Sequence, residues 1–234
     1  MAGGASDKTK HVTTFHEVLN APSLPQSEKI EERLIDEATS LIGAGTLSAS
    51  HILSLTTLNI LTDIAILHKL CHELEIDIPD STSLPSQAGL ESLPYLKAVI
   101  NDGLRLSYGT MHRLTRCHPI GSLIYTDQSS GKVYVIPLRT PVGNSNYFLH
   151  RDAVTFPDPE TFSPERWLVP LSEHQKLEAC LNTFVRGTRQ CEAINLAYAE
   201  LYLTIAAMCR RLGREMVLYD TVFERDVKVR RVKV

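Results

Sequence analysis

Residues 184–191 read Phe184-Val185-Arg186-Gly187-Thr188-Arg189-Gln190-Cys191 and stand directly before a long apolar segment. Gly187 permits a tight backbone that can lie against a flat surface, and Arg189 carries the planar fork that pairs with a carboxylate. Beyond the loop, Ile194, Ala197, Tyr198, Leu201, Ile205 and Met208 recur at spacings of three and four, which predicts a core helix. Cys191 therefore lies at a helix start, where backbone N–H groups favour a thiolate. A lone cysteine is more often a buried structural thiol. The whole pattern of glycine, arginine, cysteine and apolar helix reads instead as a thiolate ligand loop.

Upstream, the chain alternates between helical and irregular texture. Residues 1–26 are polar, with Gly3, Gly4, Pro22 and Pro25, and read as a loose arm ahead of a domain over 27–234. From Ser27, the residues Leu34, Ala38, Leu41, Ile42, Gly45, Ala49, Ile52 and Leu53 follow a helical period to about Leu61. Gly43 and Gly45 inside that helix cost about 1 kcal/mol each relative to alanine, which suggests a close approach there. A second helix is expected from about Asp63 to Glu75 and a third from Leu93 to about Leu106, with Pro94 suited to its first turn. The runs SLIYT and KVYVI, joined by DQSSG, signal a hairpin. Pro157, Pro159, Pro164 and Pro170 then exclude long regular elements, and the tail from Met216 alternates as strands do.

Composition narrows the function classes. The 234 residues are 43% hydrophobic and 22% charged, with 24 Lys and Arg against 27 Asp and Glu, a net charge of -3. Such interspersed charge offers no basic stripe, so nucleic acid is excluded as a partner. Five cysteines at scattered spacing predict free thiols in a reducing compartment. The N-terminus has no signal-peptide run, and no stretch reaches about 18 consecutive apolar residues, so the expectation is a soluble chain without an anchor, cytoplasmic or peripheral to the endoplasmic reticulum. His68-Lys69-Leu70-Cys71-His72 lacks the second ligand pair of a zinc site and the second cysteine of a covalent heme attachment. Gly43-Ala44-Gly45 lacks the third glycine of a dinucleotide loop.

Four segments in order carry a family resemblance: Gly43 to Ser48 within the first long helix, Asp102-Gly103-Leu104-Arg105, Pro164-Glu165-Arg166-Trp167, and the cysteine loop. Asn146 to Asp152 adds a fifth. Together they resemble the C-terminal half of cytochrome P450, a heme-thiolate monooxygenase, of the fungal secondary-metabolism type. The resemblance implies a mainly α fold with a small β component. It implies heme b with Cys191 as the axial iron ligand, Phe184, Gly187 and Ala193 against the cofactor, and Arg189 at its propionates. Arg116, with Arg113 as alternative, would pair with a propionate too. Asp102, Arg105 and Arg166 would form an ion network that braces the loop, and Ser48 would lie over the iron. A small apolar substrate and an NADPH-dependent reductase are the implied partners.

Several motif positions depart from the family pattern. Leu47 and Ser48 stand where an acid and a threonine are usual, and leucine handles no protons. Asp102 is one methylene shorter than the usual glutamate, and Glu192-Ala193 replaces a residue followed by glycine, which implies weaker heme binding. The resemblance also begins at the oxygen-activating helix, so a truncated enzyme is expected, with a separate N-terminal half or a second copy covering exposed apolar surface. The alternative reading is a repurposed non-oxidative protein, either a heme or ligand binder or a cyclisation catalyst. A third is a fragment of a divided gene.

Overall fold

The computed structural model describes residues 13–107 and 115–226. The chain divides into two compact units, residues 1–47 and 48–234. Within the first, a short helix α1 (Thr14–Asn20) is capped by Thr13, whose hydroxyl accepts from the His16 amide. Part of the segment read as a loose arm is thus helical. The long helix α2 (Glu31–Thr62) begins in this unit and continues into the second.

The second unit is built on helices α3 (Ile64–Asp77), α5 (Pro94–Ser107) and α8 (Ile194–Arg211). Asp63 starts α3 by accepting from the amides of Ala65 and Ile66, which ends α2 one residue earlier. The apolar faces predicted by periodicity meet in one core. Ile66, Leu67, Leu70, Cys71 and Leu74 of α3 pack with Leu96, Val99, Ile100 and Leu104 of α5 and with Leu201, Tyr202, Ile205, Ala206 and Cys209 of α8. Pro94 leaves the first turn of α5 one donor short, and the carboxylate of Glu73 on α3 caps the next amides, Tyr95 at 2.7 Å and Leu96 at 2.8 Å. Burial raises the Glu73 pKa, against the pull of those two amides. Arg210 of α8 closes the unit by donating to the carbonyls of Ile78 and Pro79.

The remaining elements are short. A helix α4 (Gln87–Glu91), absent from the sequence expectation, contributes the buried Leu90. The hairpin forms where expected, β1 (Leu123–Thr126) pairing antiparallel with β2 (Val133–Ile136) from Leu123↔Ile136 to Thr126↔Val133. Asp127 organises its turn by accepting from Ser129 and Ser130, which hold its carboxyl down at about 2. Next come α6 (Asn146–Leu149), a 3-10 turn at Pro164–Trp167 and α7 (Leu171–Cys180). The prolines exclude a helix only up to Pro170, which itself serves as the N-cap of α7. The tail differs from its expectation. Among the described residues, 216–222 pair with no strand, and a turn of helix, α9 (Phe223–Asp226), follows; the rest of the tail, 227–234, lies outside the described residues.

Two readings of α2 are corrected. Among the described residues, apart from the helix's own backbone, no heavy atom lies within 4 Å of a Cβ built on Gly43 or Gly45, so the close approach expected there is absent. It occurs instead between Gly103 of α5 and Thr56 of α2, where a Cβ would lie 2.1 Å from the Thr56 hydroxyl. Moreover, α2 is long and apolar enough, by length and composition, to cross a bilayer. Counting consecutive apolar residues overlooks this because glycine, serine and threonine interrupt the run without adding charge. Its second half has the other character that such composition allows, burying Ile52, Thr56, Leu58 and Ile60.

The Gly103–Thr56 contact sets a stability test. Gly103→Ala is expected to destabilise the chain by about 1–3 kcal/mol through overpacking, measured as a lowered urea midpoint. Thr56→Ala in the same chain is expected to recover most of the loss, because the clashing hydroxyl is then gone.

Candidate functional site: the cysteine loop and its buried brace

The site is assembled from α5 outward. Asp102 and Arg105, one turn apart, are both fully buried, and such burial of charge requires pairing. Arg105 Nε donates to Asp102 Oδ1 at 2.8 Å and Nη2 to Oδ2 at 3.2 Å, a forked pair. The carboxylate also accepts from Trp167 Nε1 at 3.0 Å and from the Ser163 amide at 2.7 Å. Arg166 Nε lies 3.1 Å from Oδ1, within ion-pair distance but angled off a hydrogen bond. The other nitrogens of Arg166 donate to the carbonyls of Pro157, Asp158 and Thr161. Burial lowers the Arg166 pKa and the Asp102 charge opposes that effect. The remaining Arg105 donors go to the carbonyls of His150, Pro159 and Thr161. One face of the Arg105 guanidinium lies over Phe156 at 5.4 Å from the ring centre.

The helix that carries this brace, α5, is also bonded to the root of the cysteine loop. The hydroxyl of Thr183, one residue before Phe184, donates to the carbonyl of Leu104 at 2.9 Å, and the Asn182 side chain donates to Asn146 at 2.8 Å. Phe184 is half-buried with its ring 5.2 Å from that of Tyr198 on α8. The Phe184 carbonyl accepts the Cys191 amide at 3.0 Å, closing the loop on itself. Gly187 turns at φ +84°, in open space. Val185 also lies in the left-handed region, at φ +60°, which strains a β-branched residue. Cys191 is exposed and free of any disulfide, and Ala193 forms the N-cap of α8.

Seven of the sequence-derived candidates fall into two groups. Asp102, Arg105 and Arg166 converge through their side chains, while Phe184, Gly187, Cys191 and Ala193 share the loop and helix start. Ser48 and Arg189 are exposed, as is Arg116, which forms a bridge with Val142. Arg113 lies outside the described residues. Trp167 and His150 had no assigned role, although both belong to the motifs that carried the resemblance. Their signal was the buried donor each supplies, which no spacing rule reveals. A cavity of about 530 Å³ borders the loop, lined in part by Asn101, Phe184, Gln190 and Tyr198. Among the described residues the Asn101 amide nitrogen there meets no hydrogen-bond acceptor.

A profile of the family Cytochrome P450 matches residues 6–218. The chain belongs to the cytochrome P450 family. Among its relatives, Cytochrome P450 monooxygenase astB of Talaromyces wortmannii is 43% identical over 205 residues, covering 87% of this chain and 40% of the relative. Tryptophan 6-hydroxylase fscE of Fusarium equiseti is 40% identical over 205 residues, covering 88% of this chain and 38% of the relative. Fusicoccadiene C-8 hydroxylase of Phomopsis amygdali is 37% identical over 216 residues, covering 92% and 40%. The chain thus spans about two fifths of the length of the curated relatives it matches.

The P450 family implies heme, and the loop itself permits a test of fit. Cys191 offers an exposed sulfur while its amide is already held by Phe184. Beside it, Gly187 leaves open backbone where a side chain would stand. A single exposed cysteine on a loop closed by its own amide is a donor that would suit heme iron as its one thiolate ligand. Among the described residues no cluster of three or more His, Cys, Asp or Glu offers a competing metal site. The residues fit the group.

Two substitutions test the brace and the loop. Asp102→Asn keeps the side-chain size but leaves Arg105 and Arg166 facing a neutral group, and is expected to cost about 3–5 kcal/mol in chemical denaturation. Val185→Gly is expected to stabilise by about 1 kcal/mol, the relieved strain exceeding the added chain entropy, read as a raised urea midpoint.

Proposed function

We propose that this chain provides the heme-binding, thiolate-ligand part of a monooxygenase that oxidises a small apolar molecule, drawing electrons from an NADPH-dependent reductase. One observation carries the reading. A fully buried carboxylate, Asp102, anchors residues 163–167 on α5, the helix to which the root of a loop ending in an exposed cysteine is also bonded. A buried ion pair is weak support for stability, and this one orders the irregular backbone beside α5, the helix to which the root of the cysteine loop is bonded.

In this reading Cys191 would hold heme b through its thiolate. Arg189 and Arg116, with Arg113 as the alternative to Arg116, would pair with the propionates by charge-assisted hydrogen bonds. Phe184, Gly187 and Ala193 would lie against the ring, the alanine methyl weakening the fit relative to glycine. The bound heme supplies the redox chemistry that activates dioxygen. The protein contribution is positional and protic. The Phe184 carbonyl accepts the Cys191 amide and so holds the backbone beside the sulfur. Ser48 holds a proton at Oγ that it can pass on, whereas Leu47 passes none. Association with the endoplasmic reticulum surface belongs to the same reading.

A second reading, a heme or ligand binder without turnover, is favoured by Leu47 and shares the same cysteine.

The test is reconstitution of the purified chain with heme, followed by reduction and carbon monoxide. A thiolate-type band is expected in the wild type and is expected to vanish in Cys191→Ala. Failure of the wild-type chain to take up heme overturns the monooxygenase reading and the heme-binding form of the second. A thiolate band without oxygen-dependent NADPH consumption, in the presence of reductase and apolar substrates, selects the second.

A further inference from the structure

His150 follows α6 and is fully buried. Its Nε2 lies 2.9 Å from the amide nitrogen of Asn182. An amide only donates, so Nε2 is the accepting nitrogen, and the single proton of the neutral ring is assigned to Nδ1. From there it donates to the carbonyl of Arg105 at 3.0 Å. Arg105 Nη1 returns a bond to the His150 carbonyl at 3.2 Å. One neutral side chain therefore joins the last turns of α5 to the segment that leads into the cysteine loop. The adjacent Asn182–Asn146 and Thr183–Leu104 bonds attach to the same root.

We propose that His150 is a positioning residue for Cys191: its neutral Nδ1–H imidazole locks the root of the loop to α5 and so sets how the loop presents the sulfur. The proposal rests on the heme-thiolate reading only for what the sulfur binds. Nε2 and Nδ1 are both engaged, so neither a cation nor an apolar ring can replace the neutral imidazole without breaking a bond.

The surroundings support the neutral form. From α5 the facing charge is Arg105, a cation, with its partner Asp102 directed at the guanidinium. From the root of the loop come the uncharged Asn182 and Thr183, and from α6 the uncharged Asn146. Arg151, next in the chain, turns to Glu160 and to the Tyr147 ring. Burial lowers the ring pKa to about 4; the bond to the Arg105 carbonyl opposes this and the Arg105 charge adds to it. Because the folded value lies below the ordinary value of about 6.5, the contribution is complete above about pH 6.5 and is lost as pH falls toward about 4.

The test compares wild type, His150→Gln and His150→Phe by hydrogen exchange of the full chain without heme. Glutamine can offer a carbonyl to the Asn182 amide, whereas phenylalanine keeps a ring with no polar atom. Exchange across residues 182–191 is expected to be roughly tenfold faster in His150→Phe, the equivalent of about 1.4 kcal/mol. It is expected to recover partly in His150→Gln, while α3 exchanges as in wild type. Acidification from about pH 6.5 to about 4 is expected to lower the protection of this segment, corrected for intrinsic exchange, in wild type more than in His150→Gln. Equal exchange in all three chains overturns the proposal, as does a uniform rise that includes α3. On the heme-loaded chain, the thiolate-type share of the reduced carbon monoxide complex is expected to fall in His150→Phe and recover in His150→Gln. An unchanged share overturns the link to the sulfur. If the wild type binds no heme, the heme reading fails while the exchange result still decides the positioning.

Discussion

The Asp102 carboxylate is the constraint on which the unit of residues 48–234 depends. It is fully buried, and an ionised carboxylate in that position is tolerable only when its oxygens are bonded. Arg105, the Ser163 amide and Trp167 satisfy it, and Arg166 adds charge at 3.1 Å. Each partner comes with a piece of chain. Ser163, Arg166 and Trp167 bring the proline-rich segment onto α5, and Arg105 gathers three carbonyls from irregular backbone. A segment with little regular structure thereby acquires fixed bonds for its polar backbone groups, which burial would otherwise leave unsatisfied.

The brace also explains why the shorter acid is accepted. An aspartate one turn before an arginine reaches it within the helix, at 2.8 Å, and the outer segment comes in to meet both. Lys69 of α3 and the Tyr95 hydroxyl of α5 meet Glu165 of the same 3-10 turn, so the turn is held from both helices. From α5 the order passes to Thr183 and the loop by hydrogen bonds of single residues. A frame built this way fixes the cysteine relative to α5 and α8 while leaving the sulfur exposed. Loops that carry function on rigid supports commonly have this division of labour.

Much of the fold was legible because its signals are local. The periodicity of α3, α5 and α8, the Pro94 helix start and the hairpin turn depend on residues a few positions apart. The short helices α4 and α7 were missed because each is defined by its neighbours more than by its own pattern; α7 buries no residue at all. Gly43 and Gly45 misled for the same reason. A glycine announces permission for close approach and says nothing of whether a partner arrives, whereas Gly103, unremarked within its motif, has Thr56 against it.

The sequence by itself determined the family, the helical class and the cysteine that stands at the head of α8, because residue type and spacing along the chain suffice for these. The tertiary structure decided what surrounds that cysteine. The partners of the two His150 ring nitrogens and the hold of residues 163–167 on Asp102 depend on groups far apart in sequence; the Asp102 and Ser163 contact, for example, spans 61 positions. Hydrogen-bond satisfaction in a buried site is a property of where donors and acceptors meet, and that is set only when the chain has packed.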